Sequence, residues 1–488
     1  MVTTFGLWIK GKEVKASSGK TFPSLNPTTE QPIAFFEQGT GTDINQAVKV
    51  VKEAQKKWSS IPAPHRGEIL FETARLLHQH KQRLGKLVST EMGKILKEGL
   101  GDVQEAIDIF EYMGGEGRRL FGRTTPSELP HKFCSTIRQP LGVVGIITPW
   151  NFPIAIPAWK LSAALICGNA AVIKPASDTP LCTYELVKLC EEAGIPPGVI
   201  NIIPGLGEEV GAALVKHPNI QGISFTGSRA VGEFISRNVG IKKLGLELGG
   251  KNPIIVMDDA DLDLAIEGVL FGAFGTTGQR CTAASRVILH KNIKSEFENK
   301  LLKRTEKLKL GDPLKESTDV GPLINKRAVE KTHYYTELGK KEGAKLLTGG
   351  SSPKGKGFFY EPTIFTHVKQ PMRIAQEEIF GPTVSLLTAS DLHEAIDIAN
   401  NVEYGLSSSI YTTNVNKAFL AIEKIEAGIT YVNSSTIGAE AHLPFGGIKK
   451  TGNGTREAGW SGIEEFSEEK TIYIDYSGKL QKAQIDTK

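Results

Sequence analysis

From residue 142 the chain alternates short β-branched apolar runs with stretches of helical period. The runs are GVVGIIT at 142–148, AAVIKP at 170–175, VINIIP at 199–204 and GISFTG at 222–227. Between them, 159–167, 183–193 and 208–217 are long enough for helices, and each is stopped by glycine or proline. Unbroken apolar runs separated by helices describe strands buried on both faces, so the pattern predicts a parallel sheet with crossover helices. The C-terminal half repeats the rhythm with PIIVM at 253–257, SRVILH at 285–290, TVSLLT at 383–388 and SSIYTT at 408–413, and with helices over 293–309, 328–342 and 392–402. Two successive layers predict an α/β protein with two doubly wound domains, the change falling near 248–252.

The first 120 residues predict amphipathic helices at 43–59, 65–80 and 84–92 around one or two short edge strands, packed on the first layer. Two peripheral pieces stand apart: the polar stretch 124–138 and the alternating strand TIYIDY at 471–476. Short strands outside a core tend to extend a partner's sheet, which predicts a homo-oligomer. The polar tail 479–488 is expected to be disordered.

Composition narrows the partners. At 488 residues, 40% hydrophobic and 23% charged, the chain is an ordinary globular protein of two or three domains. The 58 basic and 54 acidic side chains leave a net charge of +4 without a basic block, so a small molecule is expected rather than nucleic acid. The N-terminus lacks a basic segment followed by an apolar one, and no apolar run approaches the ~20 residues a membrane span needs. Cys134, Cys167, Cys182, Cys190 and Cys281 show neither CxxC nor Cys/His spacing, so no disulfide framework and no metal site is indicated. A reducing cytoplasm is the expected location.

Several segments carry candidate chemistry. Gly205-Leu-Gly207-Glu-Glu-Val-Gly211 follows a strand and opens a helix, but its last interval is one residue longer than the dinucleotide fingerprint, so a simple tight turn is the plainer reading. In FTGS at 225–228, with Val231-Gly232 beyond, a strand delivers Gly227 and Ser228 to the first turn of a helix, where free amides can hold a pyrophosphate. Lys174 ends the strand before, and is either a solvated lysine or a cation beside a ribose. Cys281 in GQRC follows a glycine-bearing turn where backbone amides can converge on a reacting oxygen, although a lone cysteine is usually a small buried hydrophobe. Glu247 in LELGGK has apolar neighbours that would raise its pKa toward a general base's range, against the alternative of a surface charge. Asn151 in PWNFP sits between rings and prolines, as a turn asparagine or as an amide made to point one way.

Together these segments closely resemble the aldehyde dehydrogenase superfamily. PWNFP at 149–153, KPAS at 174–177, FTGS at 225–228, ELGGK at 247–251, GQRC at 278–281, EEIFGP at 377–382 and PFGG at 444–447 occur in that family's order. The resemblance implies a dinucleotide-binding domain (1–121 and 142–248), a catalytic domain (249–445), an oligomerisation element (122–141 and 467–488) and a return segment (446–466). It makes Cys281 the nucleophile, Glu247 the general base, Asn151 an oxyanion donor and Lys160 a support for the proton relay. It assigns Trp150, Lys174, Ser177, Gly227, Ser228, Gly232, Glu378 and Phe380 to NAD or NADP. NAD-selective relatives often carry glutamate where Ser177 stands, so NADP is expected to be tolerated or preferred. A homodimer or homotetramer follows by the same analogy.

Around the site, GAFGTTGQRCTAASRV and NFPIAIPAWK are most similar to α-ketoglutaric semialdehyde (2,5-dioxopentanoate) dehydrogenases. Trp159 and Gly275 replace the arginines usual in succinate-semialdehyde enzymes. Arg118 and Arg119 are either carboxylate partners or solvated helix charges. Succinate-semialdehyde and broad aliphatic aldehyde oxidation remain open, as do a non-catalytic crystallin-like protein and a cysteine hydrolase pairing Cys281 with His442. Retention of Glu247 points to hydrolysis of a thioester rather than its transfer to CoA.

Overall fold

The computed structural model describes residues 2–486. Its first layer is a seven-stranded sheet in the order Lys243–Glu247, Gly222–Thr226, Val143–Ile147, Ala170–Lys174, Ile200–Ile202, Leu7–Ile9, Lys12–Val14. The first five strands run parallel, and the two N-terminal ones join antiparallel. Val143–Ile147 and Ala170–Lys174 are buried at every position, which is why they read as unbroken apolar runs. The second layer is also seven-stranded, in the order Lys345–Thr348, Thr363–Thr366, Thr383–Ala389, Ala284–His290, Asn252–Val256, Ser407–Tyr411, Ile429–Val432. Only its Lys345–Thr348 edge is antiparallel. Leu248 to Lys251 link the two sheets, where the sequence pattern places the change. Ser467–Asp475 pairs along its length with Lys132–Pro140, and Thr124–Pro126 completes that small antiparallel sheet.

The N-terminal region departs from expectation. The helix α1 (Gly41–Ser60) starts at a Thr40–Asp43 capping box. The helix α2 (Ala63–Met92) is continuous where two helices were expected, because the polar run 80–83 is only its solvent side. The helix α3 (Leu96–Glu116) went unforeseen since Gly99, Gly101, Gly114 and Gly115 lower helix propensity. Packing explains Gly99: a Cβ there would lie 2.5 Å from the Gly85 carbonyl oxygen on α2. Glycine thus permits the two helices to touch. Over 208–217 a π-turn (Gly207–Gly211) precedes a short helix (Ala212–Lys216), in place of one regular helix. In the tail, Gln481 donates to the Pro130 carbonyl at 2.8 Å, so that residue is tied to the small sheet; 487 and 488 lie outside the described residues.

The helix α4 (Ala155–Ile166) is buried on nearly all sides. Its free N-terminal amides are met by Asp102 of α3, whose Oδ1 accepts from Ala155 at 2.7 Å and from Ile154 at 3.3 Å. Segments 149–154, 175–179, 227–228 and 248–251 follow the carboxyl ends of the first sheet, the edge at which ligands bind in such folds.

Candidate active site

Cys281 stands after a tight turn, Gly275–Gly278, in which Thr276 and Thr277 adopt left-handed backbone angles (φ 51° and 56°). β-branched residues resist that conformation, so the surroundings must impose it. The Thr277 hydroxyl donates to the Gly321 carbonyl at 3.0 Å, and the buried Gln279 accepts from the Ile324 amide at 2.9 Å. Beyond the thiol, Asn252 Nδ2 donates to the carbonyls of Cys281 (2.7 Å) and Ala283 (2.9 Å). Asn252 was not legible as a site residue, for nothing in its local sequence marks a contact 29 residues away.

Asn151 and Cys281 line one cavity of about 220 Å³ with Trp150, Gly227, Ser228, Glu378, Phe380 and Lys331. Asn151 is buried, and its Nδ2 donates to the Gln279 carbonyl at 3.0 Å. The segment carrying it is braced from α3, because Asp102 is paired at 2.9 Å with Lys94 and both side chains are 0% exposed. The Lys94 ammonium also lies 3.6 Å from the centre of the Phe152 ring.

Glu247 ends its strand, and neither of its buried carboxylate oxygens has a hydrogen-bond partner among the described residues. Burial, reinforced by Glu457, pushes its carboxyl well above the usual range, with Lys160 opposing. Lys160 does not bond Glu247. Its Nζ donates to Ser224 Oγ at 2.8 Å and to the Glu457 carboxylate, so the lysine is paired with a second acid rather than with Glu247. Glu457 was missed in the sequence because only the fold returns 446–466 to this layer. A Cβ on Gly446 (φ 146°) would collide with Glu247 Oε1, which accounts for one glycine of PFGG. The Cys281 thiol is pushed up to about 12, by burial first and then by Glu247 and Glu378. It is held protonated, so activation requires a base that removes the proton.

A second cleft of about 740 Å³ shares Trp150, Gly227 and Ser228 with the first and runs along the carboxyl edge of the sheet past Lys174 and Ser177. Lys174 is buried with one partner, the Pro175 carbonyl at 2.8 Å, and burial lowers its pKa to about 8. Ser177 donates to the Gly205 carbonyl at 3.1 Å. Gly207 and Gly211 line the same cleft, so the glycine segment weighed as a plain turn belongs to it after all. No atom lies within 4 Å of a Cβ built on Gly207, which leaves an open cradle. Ser228 precedes the ten-residue helix Arg229–Asn238 and leaves its first amides free for an anion. A buried cation, free amides and an open glycine turn fit a dinucleotide's phosphates and ribose. Gly232 does not line the cleft; a Cβ there would strike Leu248, so its role is packing. Glu378 accepts from the Gly250 amide at 3.0 Å, and Phe380 meets Trp150 edge to face at 5.4 Å. Arg327 and Asp178 also line the cleft, Asp178 tied to Asn325 at 2.9 Å.

Arg118 and Arg119 are not brought to the site; they pair with Glu68 (3.6 Å) and Glu116 (2.7 Å). A third cleft, of about 370 Å³, is lined by Trp159 of α4 with Glu105, Asp108, Glu111, Glu440 and His442. His442 belongs to that cleft, 3.6 Å from Glu440, and no histidine lines the Cys281 cavity. The hydrolase pairing is therefore absent.

A doubly wound sheet whose carboxyl-edge cleft opens onto a cavity holding a thiol is the arrangement of an NAD(P)-dependent oxidoreductase. The chain belongs to the aldehyde dehydrogenase family, which it matches over residues 14–472. It is 41% identical over 478 residues to the alpha-ketoglutaric semialdehyde dehydrogenase of Bacillus subtilis (strain 168), covering 96% of this chain and 98% of that one. Betaine aldehyde dehydrogenase from Staphylococcus aureus in complex with NAD+ superposes with a TM-score of 0.95 at 34% identity, covering 97% and 96% of the two chains. A 3,6-anhydro-L-galactose dehydrogenase in complex with NADP gives 0.94 at 36% identity, covering 96% and 100%. The expected fold class and activity, NAD(P)-dependent oxidation of an aldehyde, are borne out.

Proposed function

We propose that aldehyde oxidation proceeds through Cys281, with Glu247 as base and Asn151 Nδ2 plus the Cys281 backbone amide as oxyanion donors. The observation that carries this reading is the meeting of Cys281, Asn151, Glu378 and Phe380 in one cavity that joins the dinucleotide cleft. Glu247 removes the thiol proton as sulfur attacks the aldehyde carbon, and Asn151 stabilises the oxygen as it gains charge, a contribution typically of ~3–4 kcal/mol for one such donor. When bound, NAD(P)+ supplies the hydride acceptor. Cys281 is left as a thioester; Glu247 gives up the thiol proton to solvent, takes a proton from the attacking water, and the C–S bond breaks, the acid proton of the product returning to the thiolate as the carboxylate leaves. Trp150 and Phe380 wall the ring end of the cofactor site, and Glu378 serves its ribose. Cys281→Ala and Glu247→Gln should each abolish steady-state NAD(P)H formation while cofactor binding survives; full turnover in either variant would refute the assignment.

Ser177 leaves the ribose end without a glutamate, and Lys174 supplies a cation there, which favours tolerance of or preference for NADP. The domain division follows the two sheets: 1–121 with 142–248 for the cofactor, 249–445 for catalysis, 446–466 as the return segment. In the oligomerisation element, 122–141 with 467–488, Phe133, Ile137, Tyr473 and Ile474 are exposed, which supports a homodimer or homotetramer.

For the substrate, the Bacillus subtilis relative and the site's own segments support a carboxylate-bearing semialdehyde such as α-ketoglutaric semialdehyde. A second reading rests on the third cleft, whose lining holds four carboxylates and neither lysine nor arginine. That charge favours an aldehyde with a neutral or amine-bearing far end. Competition kinetics between 2,5-dioxopentanoate, succinic semialdehyde and an ω-amino aldehyde separate the two. A higher kcat/KM for the amino aldehyde would overturn the first reading.

A further inference from the structure

Glu465 lies in the short helix Gly459–Glu465 of the return segment, yet its side chain points into the first layer and is buried. Space for it exists only because residue 245 is glycine; a Cβ there would overlap the Glu465 carboxylate. No side chain completes a well-formed hydrogen bond to either oxygen. Such an orphaned buried acid costs stability, and so asks for an explanation in function.

Its neighbours supply one. Lys160 of α4 and Glu457 of the return segment act on Glu465 directly, as do Ser224 and Lys243 of the adjoining strands. The same Lys160 and Glu457, with Glu465 itself and Arg456, act on Glu247. Three buried carboxyls thus share one fully buried ammonium; of the three only Glu457 is in direct contact with it, while Arg456 and Lys243 lie at the margin. The cluster cannot hold all three charges in a low-dielectric interior, so it retains a proton, and burial with Glu457 beside it lifts Glu465 to about 7. Lys243, half-buried, donates to the carbonyls of Glu464 (2.5 Å) and Ser467 (2.6 Å) and marks the solvent side.

We infer that Glu465 is the positioning residue that holds the relay's proton: it receives, by way of Glu457 and Lys160, the proton that Glu247 takes from the water attacking the thioester. The inference rests on the reading of Glu247 as base. The O–H bond of water breaks toward Glu247, its oxygen joins the acyl carbon, and the cysteine leaves with the C–S electrons, its thiolate then taking the acid proton of the product as the carboxylate departs. The accepted proton moves to Glu465 and then past Lys243 to solvent, restoring Glu247 for the next turnover. Without that outlet, the proton would stay on the base.

The test is the pH profile of kcat for the full chain and for Glu465→Gln. Loss of the neighbouring negative charge should lower the Glu247 pKa and shift the acid limb down by about half a pH unit or more. Loss of the outlet should cut kcat near neutral pH by about tenfold, with aldehyde and NAD(P) KM unchanged, a fraction of what a general base contributes. A purely structural residue would leave the limb in place. Infrared difference spectra in H2O and D2O give a readout apart from turnover: a protonated carboxyl besides that of Glu105 should titrate near neutral pH in the parent and be missing in the variant. An unmoved limb with parental kcat overturns the proposal, as does an unchanged carboxyl band. If Glu465→Gln does not fold, the infrared titration of Glu105→Gln decides, because Glu105 is the other carboxyl that burial raises to about 7: absence of any remaining carboxyl titrating near neutral pH overturns the proposal. Glu247→Gln keeps the two readings apart: full turnover there removes the base assignment, whereas loss there with an unmoved Glu465→Gln limb removes only the relay.

Discussion

Asn151 and Gln279 are joined across 128 positions of sequence by a 3.0 Å hydrogen bond from the asparagine Nδ2 to the glutamine carbonyl. One of the two amide hydrogens is used, which fixes the side chain's orientation; in the proposed mechanism the second serves the oxygen that gains charge beside Cys281. Asn151→Ala should therefore lower kcat by roughly 10²–10³, the effect of deleting one oxyanion donor, with KM little changed. Steady-state kinetics with saturating cofactor check this. A loss of less than about threefold would remove Asn151 from that role.

The Cys281 thiol, pushed up to about 12, should show no thiolate plateau at ordinary pH. Alkylation of the free enzyme by iodoacetamide, followed by mass spectrometry, should accelerate steadily from pH 7 to pH 9. Levelling below pH 8 would mean that the resting site already ionises the thiol.

Lys94 and Asp102 form a buried pair that also caps α4. Asp102→Ala removes the cap and strands a buried ammonium, a class of change that costs about 3–5 kcal/mol. A clear drop in melting temperature is expected, with activity falling in the protein that remains folded because Asn151 precedes α4. An unchanged melting temperature would contradict the pairing.

Ser177→Glu places a carboxylate where an NADP phosphate would lie. Catalytic efficiency with NADP should fall by about tenfold or more while that with NAD is kept, a discrimination built on repulsion. Equal losses with both would place the NADP phosphate elsewhere.

Glu465 also makes stability depend on pH. Its folded pKa of about 7 exceeds the ordinary 4.5, so the folded chain holds the proton more tightly than the unfolded chain does. Its contribution is full below pH 4.5 and is lost as pH rises to 7, on the order of 3 kcal/mol for a group so buried. Thermal unfolding of Glu465→Gln should lose less between those limits than the parent, and parallel curves would count against the shift.

Much was legible along the chain because local pattern reports burial. The parallel strands, the break near 248–252, the terminal strand at 471–476 and the motif residues Cys281, Glu247, Asn151, Lys174 and Ser177 are all visible as runs, turns and spacings. Helix α3 was not, since its glycines lower helix propensity while Gly99 and Gly114 serve contact with α2, and a Cβ on Gly232 would likewise meet Leu248. Glu457, Glu465, Asn252 and Lys94 carry no local mark. Their meaning comes from partners brought close by the return of 446–466 and by the crossing of α3 over α4. The cysteine with which the site begins is placed by sequence, whereas its protonation and its cavity are set by tertiary burial, which no spacing of residues records.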